Sequence, residues 1–307
     1  MTGAGSGELL LAHEDSFKGT VTDSDSSGTP ETYEFGRDPT ITELDLQRTL
    51  ARMRQQGNVE AVESVATQVE GAVAVEAAVS DDVHSEIETL VFNDGGTSFK
   101  AGRPNSGRIY TSVDYLDGTE SRELIGVIPL EYSVSYGGDG MLRYSLVLGY
   151  ATEDRDVSIP TGDVTRVSTG TSVPFHGFTL TLDSAAVTKL QTAQLTISNI
   201  ARFQRGGDPS PVDAVIAAPE TELTMEAIID TSRFSEVVYG TSGATSVQDT
   251  VDSFSGSATL DANGTTVSTY NLPKIKPANR ATNNLVDADN DTTEQLSFNV
   301  DGGVTVS

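Results

Sequence analysis

Two stretches of this chain follow nearly the same pattern. Residues 51–87 read ARMRQQGNVEAVESVATQVEGAVAVEAAVSDDVHSEI, and residues 201–237 read ARFQRGGDPSPVDAVIAAPETELTMEAIIDTSRFSEV. Aligned without a gap, they share ten residues: Ala51/Ala201, Arg52/Arg202, Gly57/Gly207, Val62/Val212, Val65/Val215, Glu70/Glu220, Glu76/Glu226, Ala77/Ala227, Ser85/Ser235 and Glu86/Glu236. Chance supplies roughly two or three identities at a fixed offset. The pattern therefore predicts an internal duplication.

Each stretch contains a run of residues with a period of two. The apolar side of the two runs comprises Val69, Val73, Val75, Ala77, Val79, Leu223, Met225, Ala227 and Ile229. The other side carries five glutamates: Glu70, Glu76, Glu220, Glu222 and Glu226. Such alternation predicts a half-buried β-strand in each stretch, with the same side chains facing inward in both.

A short helix is predicted after each strand. Ser80, Asp81 and Asp82 are good N-cap residues and precede the apolar stripe of Val83, Ile87, Leu90 and Val91. The second helix would begin after Thr231 and Ser232 and end at Gly240. His84 aligns with Phe234, so we interpret it as a packed aromatic position.

The remaining chain predicts one mainly β unit in residues 1–157 and another in residues 158–307. Each would be an antiparallel β-sandwich or barrel with one short α-helix. A hairpin is predicted to turn at Gly137–Gly140, and the seam is placed in residues 159–174, which are rich in Thr, Ser and Gly. Segments 93–123 and 240–268 are predicted to be long polar loops, suited to contacts between subunits.

The charge of the chain excludes one common class of partner. It has 45 Asp and Glu against 19 Lys and Arg, a formal net charge of −26. The acids are spread along the periodic segments, which favours a folded acidic surface over a disordered tail. Nucleic-acid binding through a basic patch is excluded, because phosphate would be repelled. Few lysines and many aspartates predict a halophilic, haloarchaeal source, since at molar salt the Debye length falls to about 3 Å.

No catalytic, cofactor or metal site is predicted. The chain has no cysteine and three scattered histidines, although a Ser-His-Asp triad depends on geometry that the sequence leaves open. Asp287–Asp291 has the spacing of a calcium loop, but Thr292 stands where an EF-hand needs glycine. We interpret it, like Asp23 and Asp25, as a solvated turn. No apolar run approaches the roughly 20 residues that cross a bilayer; with no basic leader, we expect a protein kept in the cytoplasm without membrane insertion.

The order of elements resembles the tail tube protein of long-tailed viruses. In the first unit, VEGAVAVEAAVSDDVHSEIETLVF (69–92) is followed by VIPLEYSVSYGGDGMLRYSLVLGYATED (127–154). In the second unit, ETELTMEAIIDTSRFSEVVYG (220–240) is followed by NLPKIKPANRATNNLVDADNDTTEQLSFNVDG (271–302). The resemblance covers both halves in element order, without an invariant signature.

The resemblance implies packed antiparallel sheets that assemble into stacked rings around a DNA channel. Most such rings have six single-unit subunits, so a chain with two fused units implies trimeric, pseudo-hexameric rings. The implied partners are further copies of this chain, other tail proteins, and viral DNA that passes through without specific binding. The implied location is the virion tail, after assembly in the host cytoplasm. Glu70, Glu76, Glu220, Glu222 and Glu226 become candidates to line the lumen, or else the exterior of a generally acidic halophile protein.

Other classes remain open at the level of sequence. A tail terminator or distal ring protein would share the fold. A haloarchaeal surface or adhesion protein made of two β-sandwich modules would suit the Thr-rich and Ser-rich strands, although it would need export. A hydrolase with dispersed catalytic residues has no motif in its favour.

Overall fold

β-strands make up most of the protein. The computed structural model describes residues 7–24, 26–57, 60–115, 118–138, 140–168, 172–229, 233–241, 243–286 and 289–307. The strands within these ranges are β1 (Leu9–His13), β2 (Thr32–Glu34), β3 (Arg37–Met53), β4 (Glu63–Ala78), β5 (Gly107–Tyr115), β6 (Gly118–Gly137), β7 (Arg143–Tyr150), β8 (Thr152–Arg155), β9 (Val164–Thr165), β10 (Phe178–Leu182), β11 (Ala185–Ala186), β12 (Leu190–Ser198), β13 (Ala201–Gln204), β14 (Asp213–Ile216), β15 (Glu220–Ile228), β16 (Phe254–Ala262), β17 (Thr265–Asn283), β18 (Thr293–Asp301) and β19 (Thr305–Val306). The α-helices are α1 (His84–Val91) and α2 (Arg233–Tyr239). The predicted mainly β fold class is confirmed.

Two sets of six strands have the same neighbour order. In the first set the order is β1-β5-β6-β7-β4-β3, and every pair is antiparallel. In the second set the order is β10-β16-β17-β18-β15-β12, again antiparallel throughout. The helices also take equivalent places, because α1 follows β4 and α2 follows β15. Connections and strand neighbours are thus the same in both sets.

The register between equivalent strands is the same as well. Gly71 of β4 lies opposite Tyr150 of β7. Thr221 of β15 lies opposite Val300 of β18, and each of these residues is 150 positions after its equivalent. Because side chains alternate between the faces of a strand, this agreement keeps equivalent positions on the same face of the sheet.

Irregularities in the strands recur at matching places. A β-bulge follows Pro129, where β6 pairs with β7, and another follows Pro277, where β17 pairs with β18. A second pair of bulges lies next to Gly107 in β5 and next to Phe254 in β16. Bulges bend a strand and increase its local twist, so both sets curve at the same points.

One strand pair joins the two sets into a larger sheet. β12 pairs antiparallel with β6, from Thr192 opposite Gly137 to Ile197 opposite Tyr132. β6 therefore has β7 on one side and β12 on the other. The product is a continuous antiparallel sheet in the order β3-β4-β7-β6-β12-β15-β18-β17, called the eight-strand sheet below.

The long strands β6 and β17 each run through two parts of the fold. β6 pairs with β5 as far as Val127 and with β7 from Ile128 onward. β17 changes partner from β16 to β18 near Ile275. The sheets curl around one apolar cluster that includes residues of β4, β7, β5 and α1. This packing matches the sandwich or barrel layers of β proteins.

The helix α1 was predicted correctly, but its cap was not. Ile87, Leu90 and Val91 are completely buried, as the apolar stripe predicts. The N-cap position is Val83, with no side-chain hydrogen bond. The Asp82 carboxylate instead accepts hydrogen bonds from the backbone N–H and the hydroxyl of Ser168. A long-range contact therefore replaces the local cap.

The predicted caps of α2 cannot be compared in the same way. Thr231 and Ser232 lie outside the described residues. The helix itself runs over Arg233–Tyr239 and is followed by Gly240, where the sequence predicts its end.

The prediction of two long loops was wrong. Segment 93–123 contains β5 and the start of β6, which form a hairpin that pairs with β1. Segment 240–268 contains β16 and the start of β17, with Ala258, Leu260 and Ala262 buried on alternate positions. Their small and polar residues hid this alternation. The predicted hairpin at Gly137–Gly140 is confirmed between β6 and β7.

Two described parts of the predicted seam, residues 159–174, pair with the first half of the chain. β9 pairs in parallel with β2, with Val164 opposite Thr32. Ser172 bridges to Ser80. The division of the chain at residue 157 stays a prediction.

Candidate functional site: the polar face of the eight-strand sheet

The eight-strand sheet has one apolar and one polar face. Its apolar face carries buried side chains that lie opposite one another from strand to strand: Val73, Leu148, Val75, Leu146, Tyr132, Ile197, Val134, Leu195, Leu223 and Phe298. Residues between these positions point to the opposite face. This second face is called the polar face below.

The five glutamates predicted from the sequence all have the parity of the polar face. Glu76 lies opposite Ser145 of β7, and Glu222 lies between Thr196 of β12 and Asn299 of β18. Glu226 is opposite Gln295, whose side-chain amide donates a hydrogen bond of 3.3 Å to the Glu226 carboxylate.

Glu220 and Glu70 complete the set of five. Glu220 is exposed at the start of β15, opposite Ser198 of β12. Glu70 forms an ion pair with Arg205, which follows β13. Of the five glutamates, Glu70 is therefore partly covered by a segment of the second half of the chain, which makes it the weakest of the lumen candidates.

The same face carries acidic residues that the sequence reasoning missed. Glu43 and Asp45 of β3 lie opposite Ala74 and Ala72, and Glu131 lies opposite Val147. Their strands have no clean alternation of apolar and polar residues in sequence, because bulges interrupt β3 and β6. The face of these three acidic residues could not be predicted without knowing where the bulges lie.

Few basic side chains share the polar face. By strand register the basic residues of this face are Arg37 and Arg52 of β3, Arg143 of β7, and Lys274 and Lys276 of β17. Lys276 is 3.9 Å from the Asp301 carboxylate. Hydroxyl and amide side chains of β12, β15 and β18 fill much of the remainder. The face thus presents hydrated carboxylates on a regular β-surface with a negative balance of charge.

A hairpin folds over one end of this face. β13 and β14 pair only with each other among the described strands. The ring of Phe203 sits over Gly149, where a β-carbon would come within 2.9 Å of it. The side chain of Lys18 reaches the Pro211 carbonyl oxygen at 3.3 Å. The hairpin fixes the second half of the chain against the first.

A buried polar cluster lies beneath the sheet, on the apolar side. His84 Nε2 is 3.1 Å from the hydroxyls of both Tyr132 and Tyr270, and these hydroxyls are 2.7 Å apart. Tyr270 donates a hydrogen bond of 2.6 Å to the Glu88 carboxylate. Because Tyr270 belongs to β17 and the others to α1 and β6, the cluster links the two strand sets.

Burial sets the protonation of this cluster. It lowers the pKa of His84, against the opposing influence of Glu88, and it raises the pKa of Tyr132 and of Tyr270. A neutral His84 can donate from Nε2 to Tyr132, which then donates to Tyr270. His84 Nδ1 has no hydrogen-bond partner among the described residues, as suits the unprotonated nitrogen. His84 is packed among aromatic rings, as predicted; the geometry is that of a structural core.

The candidate cation loops remain turns or lie outside the described residues. The Asp23 carboxylate accepts hydrogen bonds from the backbone N–H groups of Ser27 and Gly28. Asp25 and Asp287 are outside the described residues, and Asp291 is exposed. Within the described ranges, no three His, Cys, Asp or Glu side chains are grouped so that they could hold a metal ion. Neither described helix is long and apolar enough to cross a membrane.

Comparison with known proteins finds distant likeness among solved structures. No protein-family model matches the chain, and no curated protein matches it. A chain in the cryo-EM structure of the anti-feeding prophage baseplate, 6-fold symmetrised, is 15% identical with a TM-score of 0.35. The match covers 50% of this chain and 96% of that chain. A likeness at this level carries no conclusion about function.

Proposed function

We propose that this chain is the major tube subunit of a phage-type tail, and that three copies form each ring of a stacked tube that conducts viral DNA. The observation that carries the proposal is the polar face, a continuous acidic β-surface that spans both strand sets. We also propose that residues 1–157 and 158–307 are two copies of one unit. The shared strand order, register and bulge positions support that division.

Strand counting favours three copies. Each chain contributes eight strands, so three chains contribute 24. At an inter-strand spacing of about 4.8 Å, 24 untilted strands enclose a circle about 37 Å across between backbones. Two copies would enclose only about 24 Å, and side chains from both walls would fill much of it. A DNA duplex therefore needs at least three copies, and strand tilt widens the ring further.

The charge of the polar face suits a conduit. Carboxylates repel phosphate, whereas lysines would hold DNA by releasing its counterions. Glu76, Glu222 and Glu226 would face the lumen, with hydroxyl and amide side chains between them. DNA would then pass a hydrated wall that offers it few attractive contacts.

The partners and location follow from this role. The subunit would contact further copies of itself and other tail proteins, reside in the virion tail, and assemble in the host cytoplasm. The net charge of −26 supports a virus of a halophilic host, where screening within about 3 Å makes dense carboxylates tolerable.

Electron microscopy of the pure protein in molar salt tests the proposal. Long hollow tubes with three-fold rings are expected. Isolated rings would instead indicate a terminator or distal ring protein. Monomers at every salt concentration would contradict self-assembly and would favour a surface protein with two β-sandwich modules.

A further inference from the structure

We infer that β3 of one copy pairs antiparallel with the C-terminal part of β17 of the next copy. This contact repeats, between chains, the junction that β12 and β6 make within one chain. It rests on the self-assembly proposed above and names the strands, the register and the side chains that produce it. The partner is a second copy of this chain.

The two edges are equivalent to the strands of the internal junction. Leu44 of β3 lies opposite Val73, while Leu195 of β12 lies opposite Leu223, the residue 150 positions after Val73. Leu44 and Leu195 therefore occupy the same place. By the same comparison, Ala281 of β17 is equivalent to Ser133 of β6, because their partners are Gln295 and Ser145.

Among the described residues, the outer edges of β3 and of the C-terminal part of β17 have no strand partner. β3 pairs with β4 alone. Beyond Lys276, β17 pairs with β18 alone. β3 and β17 are the two ends of the eight-strand sheet, so a contact between them is head-to-tail. A head-to-tail contact forms a ring if the rotation closes and a filament if it does not.

The open edge of β3 exposes apolar side chains that its equivalent buries. In the internal junction Leu195 is 4% exposed and Ile197 is fully buried. At the equivalent place of Ile197, Leu46 is 38% exposed, and Ile41 on the same strand is 36% exposed. A second copy on this edge would remove that apolar surface from water.

The proposed register places the acidic residues of β3 beside neutral residues of β17. Residues 40–47 carry Glu43 and Asp45, whereas Arg280 is the one charged residue of 278–285 and its side chain is ion-paired with Glu294 of the same chain. The contact therefore does not bring acidic side chains of the two edges together, an arrangement that would oppose pairing. An unpaired strand edge invites the addition of another strand.

The equivalence with the β12–β6 junction determines which residues lie opposite each other in the contact between two copies. Thr196 lies opposite Ser133 in the internal junction. Asp45 is equivalent to Thr196, since their partners Ala72 and Glu222 are 150 positions apart. The inference therefore places Asp45 of one copy opposite Ala281 of the next.

Engineered cysteines test this register directly. The chain has no cysteine, so Asp45→Cys with Ala281→Cys introduces the only two thiols. Opposite residues have α-carbons close enough for a disulfide, whereas a two-residue offset puts them about 7–8 Å apart. Within one chain the two thiols sit at opposite ends of eight strands, roughly 34 Å apart. Mild oxidation in molar salt is expected to give a ladder of linked chains on a non-reducing gel, while Asp45→Cys with Asn283→Cys gives little.

The gel separates this inference from the proposed function. A ladder that ends at the trimer supports both. A ladder that continues past the trimer supports the pairing and overturns the three-copy ring. Equal linkage in the two variants, or no linkage, overturns the pairing, even if electron microscopy still shows tubes.

A second variant tests the apolar contact without a crosslink. Leu46→Lys places a charge on the open edge and is expected to abolish assembly while leaving the circular dichroism spectrum unchanged. Val247→Lys, at a position that is 77% exposed away from the edge, is the control and is expected to assemble. Normal assembly of Leu46→Lys would contradict the inference.

Discussion

Glu222 and Glu226 project from the middle of the eight-strand sheet, on a face with few basic side chains. The sequence predicted their common face from the alternation in ETELTMEAIID, and the strand pairs place Thr224 between them on the same side. The sequence could not predict that Arg205 reaches Glu70, because that contact depends on how the β13–β14 hairpin folds back.

Reversing charge on the polar face should make the tube bind the DNA that it otherwise lets pass. Tubes of the Glu222→Lys, Glu226→Lys variant are expected to retain duplex DNA, with affinity that falls steeply as salt rises. Each lysine that contacts a phosphate adds about 0.9 to the slope of log affinity against log salt. Filter binding with labelled duplex measures this.

The control for that variant is Asp249→Lys with Asp252→Lys, in the exposed segment before β16. It makes the same change of charge away from the polar face. Equal DNA retention by both variants would show that total charge, and not the polar face, governs the effect.

His84 should make stability depend on pH. Burial lowers the pKa of His84 in the folded protein, so below about pH 6.5 the unfolded chain binds a proton that the folded chain resists. Stability is therefore lost as pH falls, by up to about 1.4 kcal/mol for each pH unit. Burial raises the pKa of Glu14, so Glu14 makes stability rise as pH falls, the opposite of the effect of His84. The contribution of His84 is therefore obtained by comparing His84 variants with the wild type.

Denaturant unfolding between pH 7 and pH 5 at constant salt measures this effect. His84→Gln should flatten the loss of stability. His176→Gln, at an exposed position, should leave it unchanged. An identical pH dependence in the wild type and both variants would contradict the assignment of a neutral, buried His84.

At the scale of single elements, Gly71 shows how closely β4 packs. A β-carbon there would lie 1.9 Å from the buried ring of Tyr150, on the residue directly across the strand pair. Gly71→Ala should therefore destabilise the fold by about 1–3 kcal/mol, as overpacking does. Thermal unfolding in molar salt is the measurement.

Gly207→Ala is the matched control, because nothing lies within 4 Å of a β-carbon at that exposed position. It should change stability by less than about 0.5 kcal/mol. If Gly71→Ala were equally neutral, the ring of Tyr150 would not cover the strand as described.

Elements with clear alternation were predictable, and others were not. Apolar periodicity in the sequence predicts the strands β4 and β15 and the helix α1. It does not predict β5, since RIYTSVDY carries polar residues on both faces. Its Thr111 and Ser112 are buried, and β5 lies between β1 and β6. Burial of hydroxyl side chains depends on neighbours that the local sequence does not reveal.

For the whole molecule, the surface charge predicts dependence on salt. With a net charge of −26, lowering the salt from molar to about 0.01 M lengthens the Debye length from about 3 to 30 Å, and carboxylates then repel across the whole chain. A loss of about 3 kcal/mol would lower the Tm of a chain of this length by roughly 5 °C. Calorimetry across a salt series measures it. An unchanged Tm would contradict the proposed halophilic origin.

The repeat in the sequence predicts two similar units but not how they join. Strand order and register recur between the two sets, in line with the ten shared residues. The pairing of β6 with β12 is a long-range contact between different strand types, which periodicity cannot encode. It is also the contact that makes the eight-strand sheet continuous and leaves β3 and β17 as its ends.

The central claim is that this eight-strand sheet lines a tube with its polar face toward the DNA. A cryo-EM reconstruction of tubes assembled from the pure protein in molar salt tests it most directly. The account predicts three chains per ring, a closed wall of 24 strands, and the side chains of Glu76, Glu222 and Glu226 in the lumen. A reconstruction with those glutamates on the outside of the tube, or with open sheets in place of a closed wall, would contradict it.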